Sequence, residues 1–433
     1  MGIFLWEYSG ENMVGLVVER WEAEFLRRSG GWFLVYGRRK VGKTFILRRF
    51  LPWDFYVTVS RGGYCIVDGD VVDVEGAVSR VVDVLEKGGA AIIDEFQRLP
   101  EHYWDLFARA HPSGRLVLSG SSFGVVDRVL GRRSPLLGLL MPFKLDLISP
   151  ADSIVSLVER GLSVRDAVLW ATLIRDPWLI PFVDFSLPPW VEVSRLAPML
   201  VASASGLIGE VFLEEERQLT RLYDALLRLL ASGCWSPKVI AARLYSAGLL
   251  SSSSPGIVTG VLSKLEAMGL VEKVGLWRTR GAKFYYRHRS PLTSILLWLD
   301  EKFEFEGYTS SGIMDALRSR LAFEAQFFLG ELLAKARGFR RGYSILYGEQ
   351  GDIDIVLLDR RGRAVEGFEV KIGALSGSEV RRAIERIRGL GIPRVGMISL
   401  VEKPPMLPGV DEILGPDELL KEAEMLKRKE WSE

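Results

Sequence analysis

The first 150 residues predict an α/β fold with a parallel sheet, and the rest of the chain predicts smaller helical and mixed α/β units. Two continuous apolar runs of strand length, 32–36 and 90–93, carry the first expectation, because parallel strands buried on both faces are apolar throughout. The glycine-containing segment 37–44 follows the first run, and residues 45–50 then show helical apolar spacing. A strand, a glycine loop and a helix in this order indicate a P-loop NTPase.

Residues 37–44 match the phosphate-binding pattern Gly-x-x-x-x-Gly-Lys-Thr at every fixed position. Gly37 and Gly42 allow the backbone N–H groups to approach phosphate oxygens, and the helix that begins at Lys43 adds its positive dipole end. We predict that Lys43 reaches the β- and γ-phosphates of ATP and that the Thr44 hydroxyl holds Mg²⁺. The predicted nucleotide-binding residues are Gly37, Arg38, Arg39, Lys40, Val41, Gly42, Lys43, Thr44 and Phe45.

Two carboxylates, Asp94 and Glu95, follow the second apolar run. This is the end of the strand at which open α/β sheets bind their ligands. We predict that Asp94 holds Mg²⁺ together with Thr44, and that Glu95 is the general base that polarises the attacking water.

Two further sets of residues are candidates for sensing the γ-phosphate. A third apolar run, 115–118, leads to Ser119 and Ser121, for which a plain strand-end turn is the alternative. Arg132 and Arg133 are candidates for an arginine finger that acts across a subunit boundary, with solvated surface arginines as the alternative.

The composition is that of a globular intracellular protein of about three domains. The 433 residues carry a net charge of +1, so affinity for nucleic acid has to come from a local basic patch. Two distant cysteines, Cys65 and Cys234, argue against a disulfide framework and for a reducing cytosol. The least charged stretch, 196–209, is shorter than a membrane span. We therefore expect a cytoplasmic protein without a membrane partner.

The middle of the chain predicts a helical lid, 151–217, and then a winged helix-turn-helix, 218–300. Prolines interrupt the helices of the first part, and a layer that serves only packing is the alternative. In the second part, three helices (222–230, 236–247 and 254–268) precede a hairpin of strands (270–274 and 284–286).

The predicted hairpin is basic and aromatic, which suits contacts to double-stranded DNA. Its candidate nucleic-acid residues are Arg278, Arg280, Lys283, Arg287 and Arg289, and Lys273 lies at its start. Packing between domains or subunits is the alternative use of such a hairpin.

The last unit, 301–433, predicts an α/β domain with two carboxylates and a lysine on adjacent strands. Glu369 and Lys371 lie two apart and therefore share a strand face, and Asp354 lies on the preceding strand. If these faces meet, they form the Asp…Glu-x-Lys set of restriction-endonuclease-like nucleases. Asp354 and Glu369 are then metal ligands, and Lys371 activates water or stabilises the phosphate. A charged outer strand face is the alternative.

Several of these segments together resemble the archaeal AAA-type ATPases of the ASCE P-loop class, which are related to the STAND NTPases. The segments are 36–44, 93–97, 119–122 and 134–136. The resemblance implies an ATPase core (1–150), a winged helix and a C-terminal restriction-endonuclease-like domain, with Glu324 as a further carboxylate. Where the family usually has Tyr-Gly-Arg, this chain has Leu137-Gly138-Leu139, so the choice of a finger stays open.

These observations predict a cytoplasmic, Mg²⁺-dependent ATPase that couples its nucleotide state to the binding, and also the cleavage, of DNA. A nucleotide switch whose C-terminal domain only binds DNA or a partner is the first alternative. In a third interpretation, the middle and C-terminal domains form a homo-oligomer and DNA plays no part.

Overall fold

Two seven-stranded sheets organise the chain in a computed structural model. The structure describes residues 15–121, 123–215, 220–278, 283–303, 310–344, 352–373, 376–401, 403 and 408–432. Arg280, one of the predicted DNA contacts, lies outside the described residues.

The first sheet and its helices occupy residues 21–144. The elements are α1 (Trp21–Arg28), β1 (Phe33–Tyr36), α2 (Lys43–Phe50), β2 (Phe55–Val59), β3 (Cys65–Val67), β4 (Asp70–Val72), α3 (Val74–Glu86), β5 (Ala90–Asp94), α4 (Trp104–Ala110), β6 (Arg115–Gly120), α5 (Phe123–Val129) and β7 (Met141–Lys144). The prediction of an α/β unit with a parallel sheet is confirmed, because β2, β5, β6, β1 and β7 all pair in parallel.

The strand order of this sheet is β4-β3-β2-β5-β6-β1-β7. Strand β6 therefore lies between β1, which leads into the glycine loop, and β5, which ends at Asp94. Because all three strands run in parallel, their carboxyl ends meet at one edge of the sheet. Ser119 belongs to β6 itself and not to a turn after it, because the strand is two residues longer than predicted.

The middle of the chain is helical up to a hairpin, and a second sheet follows. The elements are α6 (Pro150–Glu159), α7 (Val164–Ile174), α8 (Pro189–Glu214), α9 (Arg221–Ala231), α10 (Pro237–Ser246), α11 (Pro255–Ala267), β8 (Val271–Leu276), β9 (Phe284–His288), α12 (Pro291–Lys302), α13 (Ser310–Arg337), β10 (Arg340–Ser344), β11 (Ile353–Leu358), β12 (Ala364–Lys371), α14 (Gly377–Gly389), β13 (Arg394–Ser399), β14 (Glu412–Leu414) and α15 (Pro416–Ser432).

The hairpin β8–β9 is an integral part of the second sheet. The strand order is β14-β13-β12-β11-β10-β8-β9, and β10 pairs in parallel with β8 through Gly342 and Gly275. A backbone hydrogen bond from Trp277 N to Tyr343 O, 2.9 Å long, continues this pairing beyond β8. The hairpin that the sequence predicted as a wing therefore uses one of its edges to join the C-terminal sheet.

One hydrophobic core joins the predicted lid to the C-terminal unit. It contains Trp170 of α7, Leu292 of α12, Phe328 of α13, Ile355 of β11 and Leu419 of α15, all buried. The predicted boundaries between these units thus do not coincide with breaks in packing.

Helix α8 corrects the expectation that the least charged stretch is too short to span a membrane. The helix extends beyond residues 196–209 at both ends, and Pro189–Leu213 is long and apolar enough to cross a membrane by length and composition. In the structure, 39% of its most apolar window is buried, and Ala197 and Leu200 contribute to the shared core.

A buried carboxyl group at Asp152 gives the fold a testable pH dependence. Asp152 is fully buried on α6, where Oδ1 accepts from Trp431 Nε1 (2.9 Å) and Oδ2 from Trp21 N (3.1 Å). Burial, together with the nearby Glu22 and Glu430 carboxylates, raises the pKa of Asp152 to about 7.

We expect Asp152→Asn to flatten the pH dependence of the free energy of unfolding. The folded-state pKa exceeds the unfolded value, so the contribution of Asp152 is complete at low pH and is lost as pH rises towards about 7. We expect the free energy of unfolding, measured with urea between about pH 5 and pH 8, to depend on pH more steeply in the wild type than in the variant. The difference should reach up to about 1.4 kcal/mol per pH unit. Parallel curves would contradict the raised pKa.

Candidate functional site

The loop between β1 and α2 has the geometry of a phosphate-binding loop. A Cβ atom at position 37 would lie 2.0 Å from the carbonyl oxygen of Leu145, so only glycine fits there. Gly42 caps α2 with a left-handed backbone (φ 95°), and Lys40 is also left-handed (φ 65°). Val41 is buried beneath the loop, whereas Phe45 is exposed.

The Lys43 ammonium group is turned into its own loop. Its Nζ donates to the carbonyl oxygens of Gly37 (2.8 Å) and Arg38 (3.2 Å), and the side chain is buried. Gly37 and Arg38 are the first two residues of the loop, so the ammonium group lies against the loop that would receive the phosphates.

The two predicted Mg²⁺ ligands are in contact at the edge of the sheet. Thr44 Oγ1 donates to Asp94 Oδ2 (2.7 Å), although 50 residues separate them in the sequence. The buried Tyr56 hydroxyl donates to the same oxygen (2.8 Å), and the N–H of Glu95 donates to Oδ1 (3.0 Å). Sequence reasoning missed Tyr56, because it lies within a strand, β2, whose pattern shows only burial.

Glu95 lies next to Asp94, at the start of a 3-10 helix, Phe96–Arg98. Its backbone is left-handed (φ 59°), which turns the side chain away from the line of β5. Glu95 Oε2 accepts from Gln97 Nε2 (2.9 Å) and from the Arg98 guanidinium (2.6 Å). Gln97 also donates to Ser121 Oγ (3.1 Å), so the two predicted regions, Glu95 and the end of β6, are joined by one amide.

Ser119 is fully buried in β6, and among the described residues its hydroxyl has no hydrogen-bond partner. Arg132 and Arg133 are exposed between α5 and β7. Their role as an arginine finger stays a prediction, because a finger acts on a second subunit.

Carboxylates of the helical layer neutralise the two arginines of the loop. Arg38 pairs with the buried Asp176, and Arg39 pairs with Glu210 of α8 at 2.5 Å. Asp176 also accepts from the Ser290 hydroxyl, which caps α12. One carboxylate thus connects the glycine loop to the element that follows the hairpin.

A cluster of two carboxylates and a lysine is assembled in the second sheet. Strands β11 and β12 are antiparallel with Ile355 opposite Phe368, which places Asp354 opposite Glu369. Asp354 Oδ2 accepts from Val370 N (2.8 Å), and Lys371 Nζ lies 3.3 Å from Glu369 Oε1.

Carboxylates and basic side chains are mixed in this cluster. Burial and the Glu369 carboxylate raise the pKa of Asp354 to about 7. Arg386 of α14 pairs with Glu369 at 2.6 Å. Among the described residues there is no group of three or more His, Cys, Asp and Glu side chains that would hold a metal ion.

The expectation that Glu324 joins this cluster is wrong. Glu324 is buried on α13, where Oε1 accepts from Ser294 Oγ (2.7 Å) and Oε2 accepts from Arg287. Both of its oxygens are committed to an internal network away from Asp354.

Two of the predicted DNA contacts are internal ion-pair partners. Arg287 is buried against Glu324 and Glu272, and Arg289 pairs with Glu272 (2.9 Å), Asp146 (3.1 Å) and Glu331 (3.5 Å). Their charges are neutralised within the chain, so the prediction that they contact DNA phosphates is wrong for this conformation.

Three other basic residues of the hairpin, within the part that the structure describes, are at the surface. Lys283 is exposed, as is Arg278, which donates to the carbonyl oxygen of Leu390 at 3.1 Å. Lys273 pairs with Glu266 at 3.0 Å in an exposed position. This leaves a smaller basic surface than the sequence suggested.

No protein-family model and no curated protein sequence matches the chain. Among solved structures, it is similar to the Aeropyrum pernix ORC2 protein in ADPNP–ADP complexes (14% identity, 72% of this chain and 96% of that chain, TM-score 0.40). It is also similar to the A. pernix ORC1 protein in complex with DNA (19%, 66% and 94%, TM-score 0.31). A third similar structure is the Pyrococcus horikoshii STAND protein PH0952 with a tetratricopeptide repeat sensor (15%, 76% and 56%, TM-score 0.27).

Proposed function

We propose that this protein is an ATPase whose nucleotide state controls engagement of DNA, with a C-terminal site suited to cleaving a phosphodiester bond. The observation that carries the ATPase proposal is the meeting of the glycine loop, the Thr44–Asp94 hydrogen bond and Glu95 at one edge of the first sheet. Loop amides and Lys43 bind the phosphates, while Thr44 and Asp94 are the oxygen ligands for Mg²⁺.

The proposed hydrolysis needs a base beside the γ-phosphate. The oxygen of water forms a bond to the γ-phosphorus as the bond to the bridging oxygen of ADP breaks. Glu95 accepts the proton of that water and later releases it to solvent. Thr44 and Asp94 would hold Mg²⁺, which would neutralise the charge that develops on the phosphate oxygens.

A series of hydrogen bonds and ion pairs links the loop to the rest of the chain. Arg20 donates to the carbonyl oxygen of Val41 in the loop (2.8 Å) and to that of Asp146 (2.9 Å). The Asp146 carboxylate pairs with Arg289 at the end of the hairpin, and Arg289 contacts Glu331 of α13. A movement of the loop therefore acts on the hairpin and on the helix that supports the second sheet.

The nuclease part of the proposal rests on Asp354, Glu369 and Lys371. Asp354 and Glu369 are oxygen ligands on one sheet face, and Lys371 places a positive charge beside them. Asp354 and Glu369 would hold a cation that neutralises a DNA phosphate. In the proposed cleavage, water attacks the phosphorus as the bond to one of the two ester oxygens of the DNA chain breaks, and Lys371 stabilises the charge that develops on the phosphate. DNA reaches them by way of the exposed Lys273, Arg278 and Lys283.

A nucleotide switch without cleavage is the second candidate. The ion pair between Arg386 and Glu369 favours it, because it neutralises one of the two proposed metal ligands. In this function the second sheet binds DNA or a partner, and ATP hydrolysis resets the state.

Incubation with labelled linear and branched DNA, Mg²⁺ and either ATP or no nucleotide separates the two candidates. We expect cleavage by the wild type and its loss in Lys371→Ala, since the lysine is needed to stabilise the reacting phosphate. Lys421→Ala, on α15, is the control. Shifted but uncut DNA in gel electrophoresis would favour the switch. An absence of binding at low salt would contradict the cleavage proposal and any switch that acts on DNA.

A further inference from the structure

Gln97 bridges two strands at the predicted nucleotide edge. Its Nε2 donates to Glu95 Oε2 (2.9 Å), just after β5, and to Ser121 Oγ (3.1 Å), just after β6. The two strands are neighbours in the sheet, with Ile93 opposite Leu118, so a single amide is long enough to span their ends. Because a carboxylate only accepts hydrogen bonds, the amide nitrogen must face Glu95.

The space around this amide is restricted. A Cβ atom at position 120 would lie 3.0 Å from Gln97 Oε1, so Gly120 leaves room for the amide in this orientation. Oε1 is buried and lacks a hydrogen-bond partner among the described residues, which leaves it able to accept from a group that enters the site.

Arg98 holds the same carboxylate oxygen from the other side. Its guanidinium pairs with Glu95 Oε2 at 2.6 Å, and it also donates to the carbonyl oxygen of Val59 at 3.1 Å, at the end of β2. A carboxylate that accepts two such bonds at one oxygen is a poor base, because its negative charge is already stabilised. The arrangement seen is therefore a resting position of Glu95.

We propose that Gln97 is a positioning residue that links the occupancy of the γ-phosphate site to the orientation of Glu95. In this proposal, Ser121 contacts the γ-phosphate, and Arg98 otherwise holds Glu95 in its resting position. This inference rests on the proposed ATPase function. When Ser121 donates its O–H to a phosphate oxygen, the hydroxyl moves towards the phosphate and the hydrogen bond that it accepts from Gln97 lengthens. The Gln97 amide is then free to turn together with Glu95. The catalytic base is thus released only when a triphosphate is bound.

Steady-state ATPase kinetics of matched variants test this proposal. Gln97→Met keeps the volume of the side chain and removes its hydrogen bonds, so we expect kcat to fall by about 10²-fold with little change in KM. Ser121→Ala should show the same loss, and the double variant should lose no more than either single variant, because the two residues act through one bridge. Single variants that lower kcat independently would overturn the bridge.

Arg98 variants supply a readout that a merely structural role would not give. We expect Arg98→Ala to raise kcat on the order of tenfold, since about 1.4 kcal/mol of restraint on Glu95 is removed. Arg98→Lys should restore part of the restraint. Arg109→Ala, an exposed arginine on α4, is the matched control. A lower kcat in Arg98→Ala would overturn the resting position.

Two results separate the failure of this inference from the failure of the ATPase proposal. If the wild type hydrolyses ATP and Lys43→Ala does not, but Gln97→Met behaves as wild type, only the positioning role is overturned. If the wild type has no turnover, or Lys43→Ala turns over equally well, the ATPase proposal itself falls and the inference falls with it.

Discussion

Glu95→Gln is expected to bind ATP as the wild type does and to hydrolyse it about 10²- to 10⁴-fold more slowly, the usual contribution of a general base. The substituted amide keeps the size of the side chain and cannot accept the proton of water. We assign phosphate binding to the loop amides and Lys43 and not to Glu95, so ATP binding should be preserved. Release of phosphate and binding of a fluorescent ATP analogue measure the two effects separately.

Glu101→Gln is the control for this substitution. Glu101 lies six residues further along the chain, is exposed and pairs only loosely with Arg128 at 3.7 Å. It should leave both turnover and binding unchanged. Normal turnover in Glu95→Gln would show that the base has been assigned to the wrong residue.

Glu331→Gln is expected to lower the free energy of unfolding by about 3–5 kcal/mol, the cost of removing one partner from a buried ion pair. Glu331 receives two hydrogen bonds from Arg175 (2.7 and 2.8 Å) and lies 3.5 Å from Arg289. Burial favours the neutral carboxyl, yet Arg175 and Arg289 hold the pKa of Glu331 well below its usual value. Without this charge, the buried Arg175 guanidinium loses its carboxylate partner, whereas Arg289 keeps Glu272 and Asp146.

Guanidinium chloride unfolding of Glu331→Gln and of Glu424→Gln measures this effect. Glu424 lies on α15, has a side chain that is 45% exposed and pairs with Arg428 at 3.6 Å, so its loss should cost less than about 1 kcal/mol. Replacing Arg175 and Glu331 together by apolar residues should recover much of the lost stability, since neither charge of that pair then remains buried and Arg289 keeps Glu272 and Asp146. Equal midpoints for Glu331→Gln and Glu424→Gln would contradict the importance of the network.

The sequence was most informative where the chemistry is local. Strand β5 ends at Asp94 as predicted, because an apolar run followed by two acids indicates both the strand and the place where it ends. The glycine loop was equally clear, since its close approach to Leu145 demands glycine at position 37. The spacing of Glu369 and Lys371, two residues apart, is also a local pattern, and it correctly placed both residues on one strand.

The sequence was least informative where long-range partners decide the role of a charge. Arg287 and Arg289 looked like DNA contacts because the acids that neutralise them, Glu324 and Glu331, lie 37 and 42 residues away on α13. The pairing of Arg38 with Asp176, over 138 residues, was hidden for the same reason. Burial of a charge depends on which elements pack together, and no local pattern records that.

The pairing of the hairpin with the second sheet also depends on a partner that is distant in the sequence. Gly275 and Gly342 pair as parallel neighbours although 67 residues separate them. The sequence correctly predicted the two strands of the hairpin, but it did not show that one edge of the hairpin pairs with β10. This single pairing turns a predicted wing into a structural bridge between the nucleotide unit and the C-terminal sheet.

Calorimetric titration of ATP and Mg²⁺ into the wild type and Lys43→Ala tests the central claim most directly. Lys87→Ala, which removes an exposed lysine at the end of α3, is the matched control. We expect one ATP bound per chain in the wild type and in Lys87→Ala, and a loss of binding in Lys43→Ala. Equal binding by all three proteins, or none by the wild type, would show that the glycine loop is not a nucleotide site.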